Sequence, residues 1–242
     1  MTIWIIAGCV VLLAVLRGIF PLLVMAERQN LRPLARIADD HPKTKNATSE
    51  RVIDAAKGLG YIDAGVYTDG DKGWKEGIVT LLVSPDARVL LCVHHAAAVR
   101  RHRLLTRMMS GRWVITSSPS GTRDWSGVTD SEMFPSQHFG VTLRYHFERI
   151  DERIGTEGGD VILFTPAEAA ADLFELERER QQALIERGFA RAITARPGDT
   201  SLPWRYTVKG AFKAGSLPSM SDTKRQVDLV KVKEEQWAFA KG

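Results

Sequence analysis

From Ile3 to Met25 only one side chain, Arg17, is charged at neutral pH, in a run dominated by Ile, Val, Leu and Ala. A helix crossing roughly 30 Å of hydrocarbon at 1.5 Å per residue needs about 20 apolar residues. The run therefore predicts a membrane-spanning helix within residues 1–26, with Trp4 at the outer interface and Pro21 kinking or ending its regular part. An arginine at the bilayer centre costs about 2.5–3.5 kcal/mol on the insertion scale, less where it can snorkel to the inner headgroups. Arg28, Arg32, Arg36, Lys43 and Lys45 follow the run. The positive-inside rule then expects a single-pass protein of the plasma (inner) membrane with its C-terminal part in the cytoplasm. A cleaved signal peptide is the competing reading, because Val24-Met25-Ala26 offers a small-residue site, but the basic start such a peptide wants is missing. Ile6-Ala7-Gly8-Cys9 has the form of a lipoprotein box with too little sequence ahead of it.

Residues 27–46 read as a juxtamembrane linker, with Arg28, Arg32 and Arg36 spaced to share one helical face. Residues 47–195 carry the patterns of an α+β domain, and residues 196–242 read as a basic C-terminal appendage. The whole chain has 33 basic and 29 acidic residues, a formal charge of +4. That margin is too narrow to identify a nucleic-acid binder by charge alone. Two cysteines, Cys9 and Cys92, exclude a disulfide framework and a four-cysteine zinc site.

Within the domain, Val52, Ala55, Ala56 and Leu59 follow helical spacing behind Thr48 or Ser49 as cap. The period then changes to two, and residues 61–67, 77–84, 88–94, 102–109 and 112–117 are expected as strands. Ser84-Pro85-Asp86-Ala87-Arg88 is a turn signal, because proline pre-sets φ at the second position and aspartate tolerates the third. Short connections favour an antiparallel β-meander packed with helices. Leu90 to Val93 is apolar on both faces, so that strand belongs at the centre. Phe139, Leu143, Phe147, Ile150 and Ile154 predict a helix laid on the sheet, and Val161–Phe164 a further short strand. Thr165-Pro166-Ala167-Glu168 combines a capping box with a first-turn proline and predicts a helix running to Arg187 before Gly188. In it Leu173, Phe174, Leu184 and Ile185 point inward and the run Glu175 to Arg180 is partly solvated. Thr129 with Glu132 reads as another capping box.

The stretches Leu82 to Leu90, Ser110 to Thr116 and Asp124-Trp125-Ser126-Gly127 resemble those of uncharacterised bacterial proteins with one N-terminal span. The similarity covers about a third of the chain, consists of turn chemistry, and implies no activity.

No Gly-x-Ser-x-Gly, phosphate loop, His-Glu-x-x-His or dinucleotide fingerprint occurs. Cys92, His94 and His102 form the candidate metal set, a thiolate and two imidazoles of the kind zinc takes. The competing reading, a buried structural Cys92, is preferred. Arg100, Arg101, Arg103 and Arg107 form the densest positive region and are candidates for docking an anionic surface. These features describe a noncatalytic interaction or sensing domain held at the membrane, without cofactor, with lipid as partner through the N-terminal helix and room for a protein partner. The alternatives are a membrane-tethered hydrolase or metal-dependent enzyme using the histidines of the second hairpin, and a nucleic-acid-binding protein.

Overall fold

The structure, a computed structural model, describes residues 23, 25, 27–44, 46–69, 77–95, 101–118, 124–136, 138–195, 201–214 and 220–239. Its centre is an eight-stranded sheet of β2 (Ala35–Ile37), β3 (Ile62–Thr68), β4 (Ile78–Val83), β5 (Leu90–His94), β6 (Arg101–Met108), β7 (Trp113–Ser118) and β8 (Thr129–Met133), in that order, with β9 (Val161–Ile162) beside β6. Neighbours from β2 to β7 pair antiparallel, as the short connections from β3 onward predict. β5 sits in the middle of the order, and Leu90, Leu91, Cys92 and Val93 are all buried. A double-sided apolar run can only be satisfied there, with helices on both faces.

Alternation along the strands builds two cores. One face gathers Leu81, Val83, Leu90, Cys92, Leu105, Trp113 and Ile115 under Leu173 and Leu176 of α3 (Ala169–Glu186). The other gathers Leu82, Leu91, Val93, Leu104 and Val114 under α1 (Ala47–Gly58) and α2 (Phe139–Glu157). The α2 stripe read from the sequence packs as expected: Phe139 and Ile150 are buried and Leu143, Phe147 and Ile154 lie against the same core. α1 begins with the Asn46 side chain accepting from the Thr48 amide at 2.9 Å, so the cap stands two residues ahead of Thr48.

Three segments differ from the sequence reading. The strand β8 replaces the helical turn expected at Thr129 and Glu132, and it pairs parallel to β7, Trp113 opposite Thr129 and Ser117 opposite Met133. The capping-box side chains have other partners: the Thr129 hydroxyl donates to Asp124, and Glu132 accepts from the Tyr145 hydroxyl at 2.9 Å. α3 starts one turn later than Thr165, because the Thr165 hydroxyl donates to the Glu168 carboxylate at 3.0 Å instead of capping backbone amides. Residues 27–46 hold β1 (Gln29–Leu31) as well as β2, and β1 joins β10 (Ala190–Ala192) and β11 (Leu202–Tyr206) in a three-stranded sheet of order β1-β11-β10. Two further helices follow, α4 (Val208–Ala214) and α5 (Met220–Phe239). Val230 and Trp237 of α5 pack on Phe134 and Tyr145.

Among the described residues no helix is long and apolar enough to cross a membrane. The expected span falls on residues 1–22, 24 and 26, which lie outside the described residues.

Candidate functional site

Odd-numbered residues of β6 point toward α3, and three of them are arginines: Arg101, Arg103 and Arg107 flank Leu105. Facing them, Leu173, Glu177, Arg180 and Leu184 recur at i, i+4, i+7 and i+11, one stripe of α3, so a glutamate and an arginine occupy core-facing positions between two buried leucines. The result is a part-buried chain of alternating charge, with the Arg103 and Asp124 side chains buried and those of Glu177 and Arg180 half-buried. Arg103 Nη1 donates to Glu177 Oε1 at 2.9 Å, Glu177 Oε2 accepts from Arg180 Nη1 at 2.6 Å, and Arg180 Nε reaches Asp124 Oδ2 at 3.3 Å. Ser126 and Thr129 also donate to the Asp124 carboxylate. Charges taken from water this way need both pairing and saturated hydrogen bonding.

Electrostatics follow that order. Burial disfavours the Glu177 carboxylate, yet Arg180 and Arg103 overcome it and hold the group down at about 2. Asp124 is likewise kept ionised despite its burial, by Arg180 and the hydroxyl donors. Arg180, although half-buried, is held protonated above the usual guanidinium range by Glu177 and Asp124. Arg101 behaves oppositely: burial, with Arg103 beside it, brings its guanidinium down to about 10. The Arg101 guanidinium forms no ion pair or hydrogen bond with any described residue.

These groups surround a cavity of about 90 Å³ lined by Arg101, Arg103, Arg180, Glu177, Asp124, Ser117, Ser131 and Ile115. One water needs about 10–15 Å³, so the space holds several water-sized groups or one compact ion. Among the described residues three guanidiniums face two carboxylates across it, an excess of one positive charge.

The arginines singled out in the sequence are thus divided by the fold. Arg100 lies outside the described residues. Arg101 and Arg103 line the cavity, and Arg103 is only 7% exposed. Arg107 Nη2 donates to Glu179 Oε1 at 2.8 Å and its guanidinium stacks over Trp113, whose indole donates to the other Glu179 oxygen. The alternation of β6 directs these side chains against α3 and away from a flat outer surface.

The candidate metal set is divided as well. Cys92 and His94 share the α3 face of β5, but Val93, not His94, stands opposite His102, so His102 projects from the other face. There its ring meets Phe139 edge-on at 5.8 Å. His94 Nε2 accepts from Arg103 Nε at 3.1 Å, and burial together with Arg103 pushes the imidazole well below its ordinary pKa. Burial pushes the Cys92 thiol up to about 12. No group of three or more His, Cys, Asp or Glu among the described residues could hold a metal ion.

The sequence does not mark Glu177, Arg180 and Asp124 as a site, because the run Glu175 to Arg180 reads as partly solvated opposed charges. Their signal was positional: charges at core-facing places of a helix, matched by arginines at core-facing places of a strand. The chain matches no family model, no curated protein and no solved structure.

Proposed function

We propose that the chain is a membrane-anchored, noncatalytic sensing domain, and that it senses a small multi-oxygen anion held between α3 and the sheet. The carrying observation is Arg101, a half-buried guanidinium in a cavity whose two carboxylates are already engaged by other groups. A phosphate-like or carboxylate anion would complete the alternation Asp124, Arg180, Glu177, Arg103 with a fifth charge, accepting a bidentate pair from Arg101. The Ser117 and Ser131 hydroxyls supply further donors at the wall.

Binding is favoured over catalysis because, among the described residues, no nucleophile at the cavity has an activating base. His94 already receives the Arg103 N–H, Cys92 is held as a neutral thiol, and no histidine hydrogen-bonds to Ser117 or Ser131 among the described residues. The division of Cys92, His94 and His102 between two faces removes the geometry on which a metal-dependent hydrolase would depend. Anchoring rests on the apolar run from Ile3 to Met25 and on the basic residues behind it, which favour a cytoplasmic domain.

The test uses the full chain in detergent. Orthophosphate, sulfate and a short dicarboxylate are compared with chloride at equal ionic strength by thermal unfolding. At least one oxyanion should raise the midpoint saturably, as a ligand of the native state does, and Arg101→Gln should abolish that rise. Equal stabilisation of wild type and variant would contradict the cavity as the site. Carbonate extraction and protease protection in intact cells check the anchor: the protein should stay with the membrane and its C-terminus should be protected.

A further inference from the structure

The small sheet fixes where the apolar N-terminal segment meets the domain. β1 runs antiparallel to β11, with Gln29 opposite Trp204 and Leu31 opposite Leu202. The start of β1 therefore lies at the end of β11, the same end from which α4 departs. Just ahead of β1 the Glu27 amide donates to the Leu23 carbonyl at 3.1 Å, a helical turn that closes two residues before the strand.

α4 is held against the domain by its backbone. The Thr207 amide donates to the Phe189 carbonyl at 3.0 Å, the Thr207 hydroxyl donates to the Gly188 carbonyl at 2.8 Å, and the Gly210 amide donates to the Thr207 hydroxyl at 3.2 Å. Gly210 rests so closely on Phe189 that an added Cβ would lie 1.7 Å from its carbonyl oxygen. Gly210 and Ala211 are thereby buried, and the opposite face, Val208, Lys209, Phe212 and Lys213, is exposed. Val208 is 59% and Phe212 56% exposed, each followed in sequence by a lysine. Both lysines sit over aromatic rings at the base of the helix, Lys209 over Phe189 at 4.6 Å and Lys213 over Trp125 at 4.3 Å. Two large apolar side chains between two cations, fixed outward beside the end of an apolar segment, have the chemistry of an interfacial helix on anionic lipid.

We propose that α4 is a second membrane contact, its face Val208, Lys209, Phe212 and Lys213 lying on the anionic headgroup surface beside the point where the N-terminal segment enters the bilayer. The contact rests on the reading of Ile3 to Met25 as a span. The tether supplies a high effective concentration of surface, so a helix of seven residues that would not bind lipid alone is populated at the interface. Orientation of the domain follows: the small sheet faces the membrane. Trp125, covered by Lys213, adjoins the cavity residue Asp124, so the lipid contact and the anion site share one loop.

Site-directed spin labelling of the full chain in vesicles tests the proposal. Cys9→Ser with Phe212→Cys carries one nitroxide, since Cys92 is fully buried; Asp151→Cys, on exposed α2 surface, is the aqueous control. In phosphatidylcholine with phosphatidylglycerol, the label at 212 should relax more with oxygen than with a water-soluble nickel chelate, and the label at 151 the reverse. Lys209→Gln with Lys213→Gln should move the label at 212 toward the aqueous value, as should vesicles of phosphatidylcholine alone. An aqueous label at 212 on a chain that resists carbonate extraction would overturn the α4 contact and leave the span intact. Release by carbonate would overturn the span reading, and the α4 contact with it.

Discussion

Ala87 adopts a positive φ of 60°, the one non-glycine described residue to do so. It closes the turn after Pro85 and Asp86, where the Ser84 hydroxyl donates to Asp86 at 2.6 Å and the Val89 amide donates back to Ser84. A left-handed alanine costs about 1–2 kcal/mol, partly offset by the lower chain entropy it loses on folding compared with glycine. Ala87→Gly should therefore stabilise the protein by about 0.5–1 kcal/mol, read as a higher denaturant midpoint at unchanged slope. A second residue-scale feature is His146, fully buried between two threonines. Thr106 spends its hydroxyl hydrogen on the Arg88 carbonyl, so it accepts from His146 Nε2, and Thr116, which accepts from Arg149, donates to His146 Nδ1. The ring is therefore neutral with its proton on Nε2, and burial holds its pKa well below the ordinary value. His94 is lowered too, and burial takes His95 and His102 to about 4. Four such groups bind fewer protons folded than unfolded, so stability is complete above pH 6.5 and falls as pH drops from 6.5 toward 4. Denaturant midpoints across that window should decline steeply, and His146→Gln should make the decline shallower by about one proton.

At the scale of elements, the regular antiparallel strands were legible in the sequence because each buried face recurs every second residue and each turn carries Gly, Pro or Asp. The element most at odds with the sequence reading, β8, has no apolar face: all five of its residues are half-buried and Thr129-Asp130-Ser131-Glu132 is wholly polar. Nothing in such a segment announces a strand, because polar bonds hold it and apolar burial does not. Arg149 of α2 supplies those bonds, with Nη1 donating to the Ile115 carbonyl at 2.6 Å and Nη2 to the Asp130 carbonyl at 2.8 Å. Its guanidinium also pairs with Asp130 at 3.0 Å and Glu132 at 3.5 Å, while Arg153 takes the other Asp130 oxygen at 2.8 Å. Removing one member of a buried ion network costs about 3–5 kcal/mol, since the partners stay behind uncompensated. Arg149→Met should destabilise by that order, with amide exchange of β8 accelerated well before that of β4 and β5. Uniform acceleration across the sheet would show that Arg149 does not act on β8 specifically. The cavity was hidden for a related reason: Glu177 and Arg180 look like ordinary i, i+3 surface charges until β6 places arginines across from them.

For the molecule as a whole, two packed faces serve different ends. The face under α1 and α2 is mostly apolar, holds the neutral His146 between Thr106 and Thr116, and is closed at its margin by Arg149 and Arg153 with their acids, a structural arrangement. The face under α3 is apolar under Leu173 and Leu176 but turns polar toward Arg101, where the charges of the described residues do not balance. An anion from outside the chain would complete this half-buried Arg101 guanidinium. Crystals of the protein soaked with low selenate, an anomalous scatterer with the shape of sulfate, test it most directly. One anomalous peak is expected within hydrogen-bond distance of the Arg101 guanidinium, in the cavity with Arg103, Arg180 and Ser117, and it should disappear in Arg101→Gln. Selenate found only against surface lysines, with Arg101 contacting water alone, would contradict it.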